Sequence, residues 1–295
     1  MLCLLSGVAV ADGGGGVAFC PIEVGGASPY DADRIHATIA ALADPALGGR
    51  VPGTKGGEAA RLIISTDLLC GGVTDTREVG TDVVGVVPGT DPNADLVIVG
   101  AHYDHLGRTK AGLLLGANDN ASGVAGLLAI ARDVAAHPGA RTVVFVAFDR
   151  EEEGELGAQD FVDHSPWPTG KMAYMVNLDM IGSYRGNGLA VFGATPGSPA
   201  RTALDRLMRS HKRLAASLGG VSDRSDNAPF CKEGIPYAFF WTPDRACYHA
   251  ACDTVARVDS RDAAEIAQVA GELVRDLANT DTDLHAYKLA HPCRR

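Results

Sequence analysis

The sequence predicts an α/β fold, a three-layer αβα sandwich in which helices cover both faces of a mixed, mainly parallel central sheet. Short apolar runs recur along the chain, as expected for strands buried on both faces. Amphipathic stretches lie between these runs, and this alternation indicates a mainly parallel sheet. The length of 295 residues allows one large globular domain or two small ones. Because no internal repeat or long linker divides the chain, we expect a single domain.

Each predicted element rests on its own run of residues. The predicted strands are 96–101, 142–148, 174–180 and 236–241, each a nearly continuous apolar run. One predicted helix is marked by Val124, Leu127, Leu128 and Val134. The last predicted helix carries apolar residues at helical spacing over 266–277. Ser260 is its predicted N-cap, and an aspartate lies in its first turn.

The first residues of the chain have the features of a secretory leader. Residues 1–10 are mostly apolar, and Ala9 and Ala11 form a small-x-small cleavage site. We therefore predict a signal peptide at 1–11, a flexible segment at 12–27 and a zinc peptidase catalytic domain at 28–295, the last on the resemblance given below. A disordered leader that is not cleaved is the alternative.

The cysteines also favour an oxidising compartment. The sequence has seven cysteines, and loss of a leader containing Cys3 would leave an even number for disulfide bonds. Cys247 and Cys252 are close enough in sequence to close a small loop, whereas the sequence leaves the pairing of the other four open. Reduced, buried thiols are the alternative. No C-x-x-C pair occurs, so a cysteine zinc site has no support.

Charge and hydropathy exclude two classes of function. The chain has 26 basic and 36 acidic residues, a net charge of −10, and no basic stripe. Nucleic acids and anionic membrane surfaces attract basic proteins, so neither is an expected partner. No apolar run approaches the ~18–20 residues that a membrane span requires.

Polar side chains that follow predicted strands are the candidates for a functional site, because ligands of such sheets bind at the carboxyl ends of the strands. His102 and Asp104 follow the strand 96–101 and point to the same side. A histidine beside a carboxylate is typical of a metal ligand and the group that orients it. A polar cap on the strand is the alternative interpretation.

Acidic residues at three further places in the chain are also candidates for the functional site. Asp119 lies in a turn-rich stretch just ahead of a predicted helix, where an ordinary N-cap is the alternative. Glu151, Glu152 and Glu153 follow the strand 142–148, and a solvated loop is their alternative interpretation. Asp179 lies among apolar residues, where a carboxylate needs a partner or a metal ion.

A second histidine, His249, follows the strand 236–241 and completes the set. Two histidines and three or more carboxylates at strand ends can hold two neighbouring divalent ions, a recurrent hydrolytic arrangement. Mixed histidine and carboxylate ligation suits zinc with open positions for water and substrate.

Five short motifs resemble the dinuclear, co-catalytic zinc aminopeptidases of peptidase clan MH, of the bacterial secreted leucine-aminopeptidase type. They occur in the family's order and extend from about residue 35 to the C-terminal helix. The motifs are AHYDHLG at 101–107, NDNASG at 118–123, EEEG at 151–154, NLDMIG at 177–182, and YH at 248–249 with CDT at 252–254.

The resemblance implies two Zn²⁺ ions per chain. One ion would be held by His102 and Asp179, and the other by Glu152 and His249. Asp119 would bridge them.

Further roles follow from the same resemblance. Glu151 would be the general base, Asp104 the orienting partner of His102, and Tyr248 a hydrogen-bond donor to the scissile carbonyl. Arg224 is a candidate substrate contact.

The resemblance also implies two structural features. It implies a disulfide between Cys247 and Cys252 and a cis peptide bond between Asp119 and Asn120. The chain departs from the family at Ala158, where serine is usual, and we expect no functional effect there. It also departs at Asn227, where many members have histidine, and we expect this change to alter the pocket wall.

We therefore expect an aminopeptidase that acts on peptides with a free N-terminus, is secreted or periplasmic, and is a monomer. A metallo-carboxypeptidase or amidohydrolase with the same metals, and a glutaminyl-peptide cyclase on the same scaffold, are the alternatives within this fold. A binding module descended from an inactive peptidase is less favoured, because no ligand position is lost. A serine hydrolase lacks support, since the chain contains no G-x-S-x-G elbow.

Overall fold

An eight-stranded mixed sheet forms the centre of this computed structural model, which describes residues 8–11, 17–20 and 28–293. In chain order its strands are β3 (Asp75–Val79), β4 (Asp82–Val87), β5 (Leu96–His102), β8 (Val143–Phe148), β9 (Met172–Asp179), β10 (Leu189–Phe192), β11 (Ala216–Leu218) and β12 (Tyr237–Trp241). Across the sheet the order is β11-β10-β12-β9-β5-β8-β4-β3. The central strands β12, β9, β5 and β8 are parallel, and β4 and β3 complete one edge in antiparallel orientation.

Two hairpins lie outside this sheet. β1 (Val8–Ala11) pairs with β2 (Val17–Cys20), and β6 (Gly107–Thr109) pairs with β7 (Gly112–Leu114). The rest of the predicted leader and N-terminal segment lies outside the described residues, so the predicted signal peptide stays a prediction.

Helices cover both faces of the sheet and complete the three layers that the sequence predicts. The helices are α1 (Ala32–Leu42), α2 (Lys55–Cys70), α3 (Gly123–Ala136), α4 (Leu156–His164), α5 (Pro199–Ser210), α6 (Asn227–Lys232), α7 (Ser260–Asn279) and α8 (Leu284–Ala290). The larger core lies between one face and α1, α2, α3, α5 and α7, and the smaller core lies between the other face and α4 and α6. Strand residues alternate between them, since Val97 and Val99 join the larger core and Ile98 the smaller.

The four predicted strands are confirmed as β5, β8, β9 and β12, with their ends shifted by one or two residues. The predicted N-cap of α7 is wrong. Asp259 is the cap, and its carboxylate accepts hydrogen bonds from the backbone N–H groups of Arg261 and Asp262, at 3.1 Å each. Ser260 is already the first helical residue, and its hydroxyl lies 3.2 Å from Nδ1 of His36. The helix α7 is also not the last, because α8 follows it.

Three disulfide bonds join six cysteines: Cys20–Cys70, Cys231–Cys293 and Cys247–Cys252. The third is the pair that the family resemblance implies, and Cys3 lies outside the described residues. The first ties β2 to the end of α2, and the second ties α6 to the segment that follows α8. Within the part of the chain that the structure describes, no helix has the length and apolar character needed to cross a membrane.

The parallel strands bring their carboxyl ends to one edge of the sheet. His102 on β5 pairs in register with Phe148 on β8, and Asp179 on β9 pairs with Trp241 on β12. The segments that leave these four strand ends therefore start side by side. They carry the candidate metal ligands.

Candidate metal centre

His102 is the last residue of β5, and its fully buried imidazole faces several carboxylates. Its Nδ1 lies 3.5 Å from the carboxylate of Asp104 and 3.3 Å from the Asp104 carbonyl oxygen. The Asp104 carboxylate also accepts hydrogen bonds from the N–H groups of Glu151 and Glu152, at 3.0 and 3.3 Å. Asp104 therefore fixes the ring of His102 and joins the end of β5 to the end of β8.

Asp119 lies in the wide turn 117–122 that leads into α3, and its peptide bond to Asn120 is cis, as the resemblance predicts. The alternative interpretation as an N-cap is wrong. The first N–H of α3, from Gly123, instead donates to Oδ1 of Asn120 at 2.9 Å. The Asp119 carboxylate is left to face the imidazoles of His102 and His249, at 3.4 and 3.2 Å.

The carboxylate of Asp253, a residue of the CDT motif, holds this turn in place. It accepts hydrogen bonds from the N–H groups of Asn118 at 2.8 Å and Asp119 at 3.0 Å. Gly116, which precedes the turn, has a positive φ of 60°, and a Cβ atom there would overlap the carbonyl oxygen of Asp119. The backbone of Asp119 is therefore held by its hydrogen bond to Asp253 and by its close contact with Gly116.

The three consecutive glutamates do not share one environment. Glu151 and Glu152 turn toward the cluster, with side chains only 13% and 7% exposed, whereas the Glu153 side chain is 47% exposed and pairs with Arg150. The solvated-loop interpretation therefore holds only for Glu153. Glu152 contacts His249 at 3.0 Å, and Glu151 lies 4.0 Å from His102.

Asp179, at the end of β9, lies 3.5 Å from Nε2 of His102. Asn120 joins this strand end to the Asp119 turn. Its Oδ1 accepts a hydrogen bond from the N–H of Met180 at 3.1 Å, and its Nδ2 donates to the carbonyl oxygen of Leu178 at 3.0 Å. Asp119 and Asp179 are thereby held beside the same imidazole nitrogen, Nε2 of His102.

His249 comes from the small loop that the Cys247–Cys252 disulfide closes. Tyr248 stacks on its ring, with 3.8 Å between centroids. Tyr248 is 56% exposed, and burial of the rest of the ring, with Asp119 and Glu152 nearby, raises its pKa to about 12. The hydroxyl therefore stays protonated at neutral pH and can donate a hydrogen bond.

The cluster contains two sets of side chains whose ligand atoms lie within 4.8 Å of one another: His102, Glu151 and Asp179, and His105, Asp119 and Glu152. The predicted ligand His249 adjoins the second set. Oδ2 of Asp119 and Oδ1 of Asp179 are buried and accept no hydrogen bond from the described residues, although an imidazole lies within 3.5 Å of each. Buried carboxylate oxygens without a donor, beside imidazole nitrogens, fit a pair of divalent cations.

The acidity of these groups reflects how closely they crowd together. Burial raises the pKa of Glu151 to about 10, against the opposing effect of His102. The carboxylates of Asp119 and Glu152 raise the pKa of His249 to about 10. Burial alone would lower the pKa of His102, but the surrounding carboxylates hold that pKa well above its ordinary value. The site therefore attracts positive charge, whether protons or metal ions.

Two residues of the centre were missed by the sequence analysis. The Nδ1–H of His105 donates a hydrogen bond to Oε1 of Glu152 at 2.7 Å, so it orients Glu152 much as Asp104 orients His102. Its place three positions after His102 in the same motif was the available signal.

Arg50, the second missed residue, is fully buried beneath the cluster. Its guanidinium donates hydrogen bonds to the carbonyl oxygens of Tyr103 at 2.5 Å, Leu115 at 2.7 Å, and Leu42 and Gly116 at 2.9 Å each. It therefore ties the segment that follows His102 to the segment that precedes Asp119. No local pattern around Arg50 predicts this role.

Another buried acid, Asp226, lies near the centre. Neither of its carboxylate oxygens has a hydrogen-bond partner among the described residues. Burial raises its pKa well above the ordinary value, with His102 opposing. The neighbouring Asn227 is also buried and donates to the carbonyl oxygen of Ser222 at 2.7 Å. The expected change of the pocket wall at Asn227 is therefore indirect, because it is Ser222 that lines the cavity.

A cavity of about 550 Å³ opens onto the cluster. The predicted site residues His102, Asp119, Glu151, Asp179, Tyr248, His249 and Arg224 all line it. Its remaining wall is largely apolar and aromatic, formed by Phe192, Phe239 and Trp241 among others. Four of the five predicted ligands thus line a space that could hold a substrate, and the fifth, Glu152, contacts one of them, His249, at 3.0 Å.

The sequence pattern of peptidase family M28 matches residues 82–274, and the chain belongs to that family. This confirms the family resemblance inferred from the motifs. The chain is 29% identical over 214 residues to aminopeptidase YwaD of Bacillus subtilis, covering 68% of this chain and 44% of that protein. It is 32% identical over 234 residues to an aminopeptidase of Pseudomonas aeruginosa, covering 68% and 42%. The chain thus spans less than half the length of these relatives.

Solved structures support the fold. The LapA aminopeptidase of Legionella pneumophila superposes with a TM-score of 0.73 at 22% identity, covering 84% of this chain and 72% of that one. A glutaminyl cyclase of Bacteroides thetaiotaomicron superposes with a TM-score of 0.68 at 20% identity, covering 83% and 98%. Both likenesses concern the fold alone, so the choice between activities rests on the site.

Proposed function

We propose that this chain is a dinuclear zinc aminopeptidase, which removes the N-terminal residue of peptides by hydrolysis. The supporting observation is the position of Asp119, whose two carboxylate oxygens lie 3.4 Å from His102 Nε2 and 3.2 Å from His249 Nε2. One carboxylate between two imidazoles is the arrangement expected when two ions share a bridging ligand.

The ligands divide into two groups in this proposal. His102 and Asp179 would hold one zinc ion, Glu152 and His249 would hold the other, and Asp119 would be a ligand shared by both. Bound zinc supplies Lewis acidity, which polarises the scissile carbonyl and makes water a stronger acid. Asp104 and His105 keep a ligand of each group in orientation.

Glu151 is the general base. Its side chain is mostly buried, lines the cavity and lies beside His102, and no ion-pair partner among the described residues is closer than 4.0 Å. Positive charge brought into the site lowers its raised pKa, so the carboxylate becomes available to accept a proton. It takes the proton from the attacking water and later delivers it to the leaving amine.

Two cavity residues complete the proposed chemistry. The Tyr248 hydroxyl, protonated at neutral pH, donates a hydrogen bond to the oxyanion that develops on the scissile carbonyl. Arg224 lies on the cavity wall and contacts the substrate. The second zinc ion, with nearby carboxylates such as those of Glu151 and Asp179, would hold the free α-amine, which would restrict cleavage to the N-terminus.

The protein's setting is part of the proposal. Three disulfide bonds among the described residues are typical of an oxidising compartment, which favours secretion or a periplasmic location. We also infer that the protein acts as a monomer on peptides with a free N-terminus.

The test combines metal analysis of the purified protein with a panel of substrates. The proposal expects two zinc ions per chain, hydrolysis of leucine p-nitroanilide, and no hydrolysis of its N-acetylated form. One zinc per chain, with cyclisation of N-terminal glutamine, would instead favour a glutaminyl cyclase. Cleavage of N-blocked peptides from the C-terminus would favour a carboxypeptidase. Two bound zinc ions without turnover of any substrate would indicate a binding module.

A further inference from the structure

Two arginines stand out on the wall of the cavity that adjoins the metal centre. Arg224 lies in the segment between β11 and α6, and Arg245 lies just ahead of the Cys247–Cys252 loop. Both side chains are exposed toward the cavity mouth. Neither forms a hydrogen bond or ion pair with another described residue.

The nearby carboxylates are already engaged. Asp244 is buried and accepts hydrogen bonds from the N–H groups of Ala246 and Cys247, at 3.2 Å each, and it lies 3.9 Å from Arg257. Asp223 also has an interaction within the chain. The two arginines therefore keep their positive charge available to a ligand.

The metal centre does not supply that ligand either. Four carboxylates, those of Asp119, Glu151, Glu152 and Asp179, balance the charge of the two zinc ions in the proposed function. With the imidazoles neutral, the centre is close to neutral overall. The arginines therefore place two positive charges on the cavity wall, which the carboxylates of Asp223 and Asp244 also line.

The wall next to the metal centre is of a different character. Phe192, Phe239 and Trp241 line it and offer no partner for an anionic side chain. An anion held by the arginines therefore belongs to a part of the substrate beyond its first residue. One extended residue spans ~3.5 Å, so the next group along a peptide lies near the scissile bond.

We propose that Arg224 and Arg245 form a carboxylate subsite for the part of the peptide that follows the scissile bond. Guanidinium groups bind carboxylates through paired, charge-assisted hydrogen bonds. In a peptide, that carboxylate is either the C-terminus of a short substrate or an acidic side chain at the second position. The subsite rests on the proposed aminopeptidase function and makes the enzyme selective for such peptides.

The test compares substrates that differ only in the carboxylate. One arm measures kcat/KM for the dipeptide Leu-Ala against its amide, and the other compares Leu-Glu-amide with Leu-Gln-amide. We expect at least one arm to favour the carboxylate about tenfold or more, because a hydrogen bond to a charged group has this effect. The responding arm identifies which source of carboxylate is bound.

The arginines are then replaced in Arg224→Gln, Arg245→Gln and the double variant. The ratio of kcat/KM between each carboxylate substrate and its neutral partner should fall toward one, and most in the double variant. Arg209→Gln on α5, which does not line the cavity, is the matched control and should keep the wild-type ratio.

The outcomes separate this proposal from the proposed function. Equal kcat/KM for acid and neutral substrates in the wild type would overturn the subsite while leaving the aminopeptidase intact. A preference that persists in the double variant would overturn it as well. Failure to hydrolyse any of the four substrates would instead contradict the proposed function itself.

Discussion

Nε2 of His249 lies 3.2 Å from Oδ2 of Asp119, although the two residues come from opposite parts of the chain and from different segments of the fold. This contact joins Asp119 to His249, and the contact of the other Asp119 carboxylate oxygen with Nε2 of His102 joins it to the second imidazole. A single carboxylate thus joins two imidazole sites. The proposed metal chemistry depends on this junction.

The base is tested by Glu151→Gln. The amide cannot accept a proton but keeps the size of the side chain, so we expect turnover of leucine p-nitroanilide to fall about 10²–10⁴-fold. Zinc content should stay near that of the wild type, because Glu151 is not a proposed ligand. Enzyme assays and metal analysis of the same preparation give both results.

Glu153→Gln is the matched control for this variant. Its carboxylate is 47% exposed and pairs with Arg150 at the surface, so activity should stay near the wild-type level. Wild-type turnover in Glu151→Gln with zinc bound would show that another group serves as the base.

The disulfide Cys247–Cys252 should matter for metal binding more than for stability. Replacing both cysteines by serine frees the loop that carries His249, and we expect zinc affinity to fall about 10–100-fold. The cost in the free energy of unfolding should be only about 2 kcal/mol, because the closed loop is short. Chelator competition and urea denaturation measure the two effects.

Removal of Cys231–Cys293 provides the comparison. This bond closes a much longer loop, so its loss should cost about 4 kcal/mol, while zinc affinity in the folded protein stays unchanged. If both double variants lose zinc affinity equally, the Cys247–Cys252 loop has no special role in holding His249.

Protein stripped of metal with a chelator should lose stability as the pH rises from about 6.5 toward 10. The pKa of Glu151 and that of His249 are each raised to about 10 in the folded chain, from ordinary values of 4.5 and 6.5. Both groups therefore bind protons more tightly when folded, and the stability this gives is lost as the pH approaches the folded pKa. The lowered pKa of Glu152 acts in the opposite direction, but only near and below pH 4.5.

Thermal denaturation between pH 6 and pH 9 checks this expectation. Zinc competes with protons for the same groups, so the difference in Tm between zinc-loaded and stripped protein should widen as the pH rises. A stripped protein whose Tm stays constant or increases over this range would contradict the proton-binding cluster.

Arg50→Met tests the buried guanidinium. The variant leaves four carbonyl oxygens without their donor, and we expect the free energy of unfolding to fall by about 3 kcal/mol or more. Because Arg50 joins the segments beside His102 and Asp119, zinc affinity of the folded variant should also fall. Arg108→Met, at an exposed position on β6, should change neither quantity. Unaltered zinc binding in Arg50→Met would leave Arg50 a purely structural residue.

Part of the proposed metal centre could be predicted from the sequence, because two of its ligands end buried apolar runs. His102 and Asp179 end β5 and β9, and parallel strands place such ends at one edge. The five predicted ligands do meet there. Interpretations based only on local sequence, such as an N-cap at Asp119, are wrong. The turn that contains Asp119 is held by residues that are distant in the sequence, above all Asp253.

The missed features depend on contacts that local sequence does not encode. Arg50 bonds only to backbone carbonyl groups from distant segments, and those carbonyls can belong to any residue type. The strand β4 was not predicted, because Gly85 interrupts its run of valines. The glycine is needed there because the side chains of Val73 and Leu68 pack closely against it. At the start of α7, Asp259 and Ser260 are both of residue types that cap helices. Only the hydrogen bonds in the structure show that Asp259 is the cap.

Anomalous X-ray diffraction at the zinc absorption edge, from crystals of the zinc-loaded protein, tests the central claim most directly. The account predicts two zinc peaks roughly 3.5–4 Å apart, one beside His102 and Asp179 and the other beside Glu152 and His249, with the Asp119 carboxylate between them. A single peak in an active enzyme, or peaks away from Asp119, would contradict it.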